Sequence, residues 1–231
     1  MKKEQKIKIV ENGPYLVIGD VPLKRENSIP DSDGIPVKWQ KRGNIKSGEN
    51  VMLCRCGKSK TKPFCDQSHI KTKFNGKEVA SNIKFDEQAE TFDGPELILK
   101  DADSLCSVAR FCELNESVWN LVEHSSDPEK KKLAIQESCN CPSGRLVIYD
   151  KKTGKKIEPK LDKEICVTED TAAGLSGPLW VKGGVLVEGA DGKKYEVRNR
   201  VTLCRCGKSK NKPFCDGEHL NTKFVDKNRI L

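Results

Sequence analysis

The sequence has few aromatic residues and no long apolar run. Phe, Trp and Tyr together make up 6% of the 231 residues, which favours two or three small domains over one large core. No apolar stretch reaches the roughly 18 residues of a membrane-spanning helix. The basic residues at the start precede no apolar segment of the kind found in secretory signals, so we expect a cytoplasmic protein with no membrane partner.

Signatures of common enzyme classes are missing as well. The glycines of "KGGVLVEGADG" lack the spacing of a dinucleotide-binding loop. The chain has three histidines, and two of them lie in the cysteine-rich repeat described below, which leaves little for a Ser-His-Asp triad. We therefore expect a protein that is not an enzyme with its own substrate pocket.

Positive charge is in excess but is not concentrated in one tail. The chain has 42 Lys and Arg against 34 Asp and Glu, for a formal net charge of +8. Aromatic residues are not interleaved with these charges as they are in nucleic-acid stacking surfaces, so we expect no nucleic-acid partner. We expect solvated surface lysines, with an acidic protein partner as the main alternative.

Cysteine is abundant, at 11 residues, and in a reducing cytoplasm thiols stay free to bind metal. A cysteine-rich segment occurs twice, as "LCRCGKSKTKPFCDQSH" from Leu53 and as "LCRCGKSKNKPFCDGEH" from Leu203. Such repetition indicates one structural unit used twice. Over the 22 aligned positions that begin at these leucines, the copies differ at five, namely Thr61/Asn211, Gln67/Gly217, Ser68/Glu218, Ile70/Leu220 and Lys71/Asn221.

Each copy spaces four candidate ligands as Cys-x-Cys, eight residues, Cys, three residues, His. This pattern predicts a Cys3His metal site, the alternative being buried thiols beside a surface histidine. Zinc accepts these ligands but usually pairs cysteines about two to four residues apart. A Cys-x-Cys pair suits one iron of a binuclear cluster and leaves the third Cys and the His for the other iron. The candidate ligands are Cys54, Cys56, Cys65 and His69 in the first copy, and Cys204, Cys206, Cys215 and His219 in the second.

Both segments closely resemble the CDGSH iron-sulfur domain. The resemblance implies one [2Fe-2S] cluster in each copy, held by three Cys and one His. Two residues depart from the family pattern: Gln67 stands in place of Gly, and Glu218 stands in place of a small residue. Neither removes a ligand, and we expect Glu218 to raise the basicity of the adjacent His219. The Ser, Pro and Asp of the pattern are present at Ser59 and Ser209, Pro63 and Pro213, and Asp66 and Asp216.

The central cysteines resemble those of single-cluster ferredoxins and of a divergent single-cluster ferredoxin domain. Cys106 and Cys112 form a close pair, Cys141 precedes a proline, and Ala109 stands where a four-iron ferredoxin has a further cysteine. The resemblance implies a [3Fe-4S] cluster on three cysteines, or a [4Fe-4S] cluster if Cys139 supplies the fourth ligand. Two alternatives remain open: the domain keeps the ferredoxin fold but binds no cluster, or two of these cysteines form a redox-active dithiol.

We predict an α+β protein with three units. Residues 1–80 hold N-terminal β-strands and the first CDGSH module, residues 90–160 an inserted ferredoxin-like α+β domain, and residues 161–231 further β-strands and the second module. Simple CDGSH proteins act as homodimers, so the resemblance implies that the two β-rich modules form an intramolecular pseudo-dimer. We expect strands of residues 6–23 and 177–201 to pair into a shared β-cap, in a monomeric chain.

Local signals predict further elements. In the central unit, "SVWNLVEH" and "DPEKKKLAIQES" predict helices, the second capped by Asp127 with Pro128 in its first turn. "CPSGRLVIYDKKTGKKIEP" predicts a strand followed by a hairpin turn. Residues 24–50, which are rich in Pro, Gly and Ser, predict an ordered loop.

The leading hypothesis for function is electron transfer to or from a redox partner protein. The second is storage of iron-sulfur clusters or their transfer to an apo-protein acceptor, to which a labile His ligand is suited. The third is a structural zinc protein.

Overall fold

The computed structural model describes residues 4–114 and 116–231, which form three β-sheets with few helices. The strands are β1 (Lys6–Ile9), β2 (Tyr15–Ile18), β3 (Leu23–Pro30), β4 (Pro36–Ile45), β5 (Val51–Leu53), β6 (Glu90–Asp93), β7 (Leu97–Asp101), β8 (Leu146–Asp150), β9 (Lys156–Ile157), β10 (Glu164–Asp170), β11 (Leu175–Lys182), β12 (Leu186–Glu188) and β13 (Arg200–Leu203). The α-helices are α1 (Ser68–Lys71), α2 (Phe85–Gln88), α3 (Val118–Glu123), α4 (Pro128–Asn140) and α5 (Glu218–Asn221). The predicted α+β class is confirmed.

Two of the sheets combine strands from both ends of the chain. The first sheet has the order β12-β1-β2-β5, and the second has the order β13-β11-β10-β3-β4. In the first, β1 pairs in parallel with β12, with Ile7 opposite Val187. In the second, β3 pairs in parallel with β10, with Leu23 opposite Ile165. Each part of the chain therefore donates a strand to the sheet of the other part.

Alternating side chains of these strands share one hydrophobic core. Ile7 and Ile9 of β1, and Tyr15 and Val17 of β2, are buried while their neighbours along each strand are less so. This period of two is expected for a sheet with one buried face. The same core contains residues from β10, β11 and β13, such as Ile165. Neither sheet buries its apolar face without the other part of the chain.

The predicted loop over residues 24–50 is wrong, because most of this segment forms a long hairpin. β3 and β4 pair antiparallel from Leu23 opposite Ile45 to Pro30 opposite Pro36. The Pro and Gly residues mark the turn, where the Asp31 carboxylate accepts hydrogen bonds from two backbone N–H groups. The strands form because β3 also pairs with the distant β10.

The central part of the chain has a sheet and a core of its own. Strands β6 to β9 form an antiparallel sheet in sequence order, and α3 and α4 pack on it around Leu97, Leu121 and Ile148. Both predicted helices are confirmed. The Ser117 side chain caps α3 and the Asp127 side chain caps α4, each by accepting backbone N–H bonds. The predicted strand and hairpin correspond to β8 and β9.

No described helix is both long and apolar enough to cross a membrane.

Candidate metal centres

The four candidate ligands of the first CDGSH-like copy lie together as two pairs. The Sγ atoms of Cys54 and Cys56 are 3.8 Å apart, and Cys65 Sγ is 3.4 Å from His69 Nδ1. Within residues 4–114 and 116–231, no three ligand atoms of this copy lie within 4.8 Å of one another. The ligand atoms are therefore arranged as two separate pairs rather than as one tetrahedron.

The second copy repeats this arrangement. Cys204 Sγ and Cys206 Sγ are 3.7 Å apart, and Cys215 Sγ is 3.4 Å from His219 Nδ1. Again, no three of its ligand atoms cluster within 4.8 Å among the residues that the structure describes. The identical spacing in the two sequences thus produces two geometrically matched sites.

The remaining residues of the motif hold each loop in shape. In the first copy, the Ser59 hydroxyl donates to the Phe64 carbonyl over 2.7 Å. The Asp66 carboxylate accepts from the backbone N–H groups of Lys60 and Ser68, at 2.8 and 3.0 Å. These bonds hold the pKa of Asp66 well below its ordinary value. The loop is closed by groups that are not themselves candidate ligands.

One thiol of each Cys-x-Cys pair is prepared for ionisation. The hydrogen bond with Cys56, followed by those from the backbone N–H groups of Ser59 and Gly57, lowers the pKa of Cys54. The corresponding bonds lower the pKa of Cys204 in the second copy. Thiolates are the form of cysteine that binds metal, so Cys54 and Cys204 are the thiols of their loops that ionise most readily, whereas the pKa of every other candidate thiol in the two loops is raised.

The two cysteine loops touch each other backbone to backbone. A Cβ atom added at Gly57 would lie 2.4 Å from the Cys206 carbonyl oxygen, and one added at Gly207 would lie 2.5 Å from the Cys56 carbonyl oxygen. Both glycines have positive φ angles, of 73° and 77°. Only glycine fits this reciprocal contact, which brings the two sites side by side.

A tyrosine from the first part of the chain supports the second site. The buried Tyr15 hydroxyl lies 2.9 Å from the Cys204 carbonyl oxygen and 3.1 Å from the Pro213 carbonyl oxygen. Leu179 occupies the equivalent place in β11, because it lies opposite Leu203 as Tyr15 lies opposite Leu53. Leucine has no hydroxyl group, so Leu179 gives the first site no equivalent of the support that Tyr15 gives the second.

The two sites differ in exposure. Cys65 and His69 are half-buried, whereas Cys215 is buried and His219 is only 4% exposed. Burial, followed by the charge of Arg205, lowers the pKa of His219 to about 4. Asp170 and Asp216, rather than Glu218, oppose this lowering, and burial outweighs them, so the expectation of a more basic His219 is wrong.

The two motif arginines also differ in their surroundings. The buried Arg205 guanidinium lies 3.0 Å from Glu169 and 3.0 Å from Asp226. The buried Arg55 guanidinium instead contacts the Tyr15 and Phe74 rings, and no acidic side chain among the described residues pairs with it. The positive charge of the second copy is neutralised locally, while that of the first is not.

Three of the four central cysteines converge on one cavity. Cys106, Cys112 and Cys141 line a cavity of about 90 Å³, together with Ala109 at the position that lacks a cysteine. Cys139 is not among the lining residues, although it lies only two residues before Cys141. The structure therefore brings three thiols together and leaves Cys139 apart from them.

A cation and a strained loop frame this cavity. Arg145 lines it and is held by Asp101 at 2.5 and 2.8 Å. Asp101, and next the Cys106 sulfur, raise the pKa of Arg145. Val108 and Arg110 have positive φ angles of 55° and 64°, unusual for residues with a Cβ and most unusual for β-branched Val108. Strained backbone of this kind clusters at functional sites.

The loop that carries the first two central cysteines covers the second CDGSH-like copy. A Cβ added at Gly217 would lie 2.3 Å from Val108 Cγ2, and the Asn211 side-chain amide donates to the Ser104 carbonyl over 2.8 Å. Gly217 and Asn211 are two of the five positions at which the copies differ. The first copy carries exposed Gln67 and Thr61 at these positions. In the sequence, the only sign of this contact was that the two copies differ at positions 211 and 217.

One further cluster of potential ligand atoms lies outside the motifs. Oxygen atoms of Glu26 and Glu164 and the Cys166 sulfur lie within 4.8 Å of one another. The Lys182 ammonium is 2.8 Å from Glu26 and 3.1 Å from Glu164 and thus already occupies the place of a cation. Cys166 is a fully buried thiol. This cluster is a buried ion-pair network.

Comparison with known protein families gave two matches. The family described as iron-binding zinc finger, CDGSH type, matches residues 12–70 and 176–220. The family described as divergent 4Fe-4S mono-cluster matches residues 92–151. Neither a search of curated proteins nor a search of solved structures gave a match. The chain is therefore an iron-sulfur protein that carries the CDGSH-type iron-binding domain twice, with a divergent mono-cluster ferredoxin-like domain between the two copies.

Proposed function

We propose that the chain is an electron-transfer protein whose two CDGSH-type copies each hold one [2Fe-2S] cluster by Cys3His ligation. The observation that carries this proposal is the separation of the ligand atoms into two pairs in each copy. Two pairs fit two iron ions joined by sulfide. When bound, such a cluster supplies one-electron redox chemistry.

The zinc alternative fits this arrangement less well. Zn–S and Zn–N bonds of about 2.3 and 2.0 Å place the ligand atoms of a tetrahedral site roughly 3.3 to 3.8 Å from one another. The two pairs of each copy meet this spacing internally, but no third ligand atom comes within 4.8 Å of both members of a pair in the described chain. A single zinc ion would require the loop to contract.

The residues of each copy tune the site in a consistent direction. One neutral imidazole in place of a fourth thiolate makes the site less negative, which favours uptake of an electron, as histidine ligation does in Rieske centres. The backbone N–H groups directed at Cys54 and Cys204 stabilise negative charge on sulfur.

We propose that the two CDGSH-type modules form a pseudo-dimer within one chain, with the ferredoxin-like unit inserted between them. The parallel pairings of β1 with β12 and of β3 with β10 support this, because the first module adds β3 and β4 to the sheet of the second, and the second adds β12 to the sheet of the first. The reciprocal contacts of Gly57 and Gly207 support it as well. Because the covalent pair already supplies both partners, the chain acts as a monomer in a reducing compartment such as the cytoplasm.

The central cavity fits a third cluster. Three thiols and an alanine at the gap position suit a [3Fe-4S] cluster, whereas a [4Fe-4S] cluster would lack a fourth thiol because Cys139 lies outside the cavity. The neighbouring Arg145 would offset part of the negative charge of such a group. The contact of Val108 with Gly217 places this cavity next to the second CDGSH-type site.

The three sites thus follow one another in space, with the second copy in the middle. The loops of the two copies meet at Gly57 and Gly207, and the central loop meets the second copy at Gly217. This order suits passage of electrons between the half-exposed first site and the central domain. No substrate pocket is needed for such a role, and the protein acts on a redox partner rather than as an enzyme.

One observation favours cluster storage or transfer to an apo-protein as a second function. Cys65 and His69 of the first copy are half-buried, so an acceptor thiol has access to this pair. The second copy offers no such access, because Cys215 and His219 are buried. Transfer would therefore involve the first cluster alone.

Iron and sulfide analysis of the purified protein, combined with dithionite titration, tests the proposal. We expect visible absorption that bleaches on reduction, and about seven iron per chain if a [3Fe-4S] cluster fills the central cavity, against about four if it does not. Zinc in place of iron, or colour that dithionite does not bleach, contradicts electron transfer. Transfer of one cluster to an apo-ferredoxin faster than spontaneous loss supports the second function.

A further inference from the structure

A groove lined by lysines lies where the two cysteine loops meet. It has a volume of about 550 Å³, and it reaches Cys56 of the first copy and Gly207 of the second. Its lysines come from both copies and from the segment that follows α1. We call it the lysine groove, and its lysines are Lys58, Lys73, Lys77, Lys208, Lys210 and Lys212.

The charge of this groove is not compensated. No Asp or Glu lines it. In the part of the chain that the structure describes, none of the six lysines lies within 4.0 Å of a carboxylate. All of them are exposed except Lys212, which is half-buried and donates to the Ser209 carbonyl. The groove therefore presents several unpaired ammonium groups to solvent.

Some lysines elsewhere on the molecule are paired with carboxylates. In the central domain, Lys100 lies 2.5 Å from Asp86, and Lys130 lies 3.0 Å from Glu116. An adjacent cavity, which shares Lys73 and Lys77 with the groove, is also lined by three acidic residues. The lysine groove is therefore a positively charged region at the approach to Cys56 of the first CDGSH-type site.

The shape of the groove favours a protein surface over a small anion. It is open to solvent, and its charges sit on flexible side chains from three separate segments. A phosphate site needs converging backbone N–H groups or buried donors. The buried hydroxyl in the lining, that of Ser209, already donates to the Phe214 carbonyl over 2.7 Å. Extended, mobile positive charge suits a complementary acidic patch.

We propose that the lysine groove docks the acidic surface of a one-electron carrier protein and brings the carrier's redox group towards Cys56. This inference rests on the proposed electron-transfer function and names its partner by chemistry. A reduced carrier, such as a flavodoxin hydroquinone or a reduced ferredoxin, loses one electron, and the first CDGSH-type site gains it. No covalent bond forms or breaks.

A pair of triple variants tests the docking. In the groove variant, Lys73, Lys77 and Lys210 are replaced by Glu. In the control variant, exposed Lys152, Lys155 and Lys160, near the β8–β9 turn, are replaced by Glu. Each triple lowers the formal net charge from +8 to +2, so the two differ only in where the charge is removed. None of the six residues is a candidate ligand or lies within two positions of one.

The probe is a purified acidic flavodoxin in its hydroquinone form. Stopped-flow absorption follows electron transfer, and isothermal titration calorimetry measures Kd independently of redox. At about 0.01 M salt, where the Debye length is about 30 Å, we expect the groove variant to associate at least about 10-fold more slowly than the unmodified protein and the control within about 3-fold. At about 1 M salt, where the Debye length is about 3 Å, we expect the three proteins to converge.

Equal slowing of both triples, or no slowing of the groove variant, overturns the docking proposal. So does saturable binding of inorganic phosphate, at constant ionic strength, that the groove variant loses while its affinity for flavodoxin is unchanged. Dithionite needs no docking surface, so its bleaching endpoint reports on electron transfer alone. If all three proteins bleach fully with dithionite and the groove variant still behaves as the control does, the groove assignment fails and the proposed function stands.

Discussion

Gly217→Ala is the sharpest test of how the central domain sits on the second CDGSH-type copy. The new Cβ would lie 2.3 Å from Val108 Cγ2 and 3.2 Å from Val108 Cβ. Rotation of the valine side chain can move Cγ2 but not Cβ, and a β-branched side chain is stiff at χ1. The alanine therefore pushes the loop of residues 106–112 away from the second site.

Two effects contribute to the magnitude. A residue with a Cβ costs about 1 kcal/mol more than glycine at the left-handed φ of 84° found here. Overpacking against Val108 costs about 1 to 3 kcal/mol. Because the first copy already carries Gln67 at a φ of 66°, the loop conformation itself tolerates a Cβ, and the contact with Val108 decides the outcome.

Hydrogen exchange of the holo-protein measures this effect locally. We expect peptides that cover residues 104–112 to exchange roughly 10- to 100-fold faster in the variant, which corresponds to about 1.4 to 2.8 kcal/mol. Gln67→Ala, the matched change in the uncovered first copy, leaves exchange unchanged within about 2-fold. Val108→Ala combined with Gly217→Ala restores much of the protection, because it removes the atom that is approached most closely.

Additive effects of the two substitutions would refute a contact between residues 108 and 217. If the effects of Val108→Ala and Gly217→Ala on exchange add to within about 0.5 kcal/mol, the two side chains do not contact each other. Faster exchange in the Gln67→Ala protein would show instead that the effect belongs to the motif loop itself.

Three further changes probe the sites. Tyr15→Phe removes the hydroxyl donor of the Cys204 carbonyl, at a cost of about 1 to 2 kcal/mol, while the Pro213 carbonyl keeps the Cys204 backbone N–H as a donor. We expect about half of the visible absorption to be lost faster in chelator, and uniform loss of all of it would contradict this. Glu169→Gln removes a negative charge 3.0 Å from Arg205. In an EPR-monitored titration we expect one of the two [2Fe-2S] midpoint potentials to become more positive and the other to stay unchanged. A shift of both potentials would contradict the idea that Glu169 neutralises Arg205 in the second copy alone. Cys139→Ser should leave the iron content unchanged, whereas Cys112→Ser should lower it by about three iron per chain. Equal losses of iron in both variants would show that Cys139 is a ligand in the central site.

Local sequence signals predicted the elements that depend on local contacts. The cap of α4 was predicted because the Asp127 side chain bonds to backbone groups two and three residues away. The hairpin of β3 and β4 was not, because its Pro- and Gly-rich sequence forms strands only with β10 alongside, more than 140 residues further on. Turn signals in the sequence mark where a chain reverses, but not whether distant strands pair with its arms.

The candidate ligands of the two CDGSH-type copies could be named from the sequence alone, because they lie within one short cysteine-rich loop in each copy. The convergence of Cys106, Cys112 and Cys141 was expected from a resemblance, but the separate position of Cys139 was not. Only the tertiary structure decided that the two copies are unequal, since the contact of Val108 with Gly217 and the unpaired lysines beside Cys56 join segments far apart in the chain. Burial and long-range charge arise from packing between such segments, which no spacing within a motif encodes.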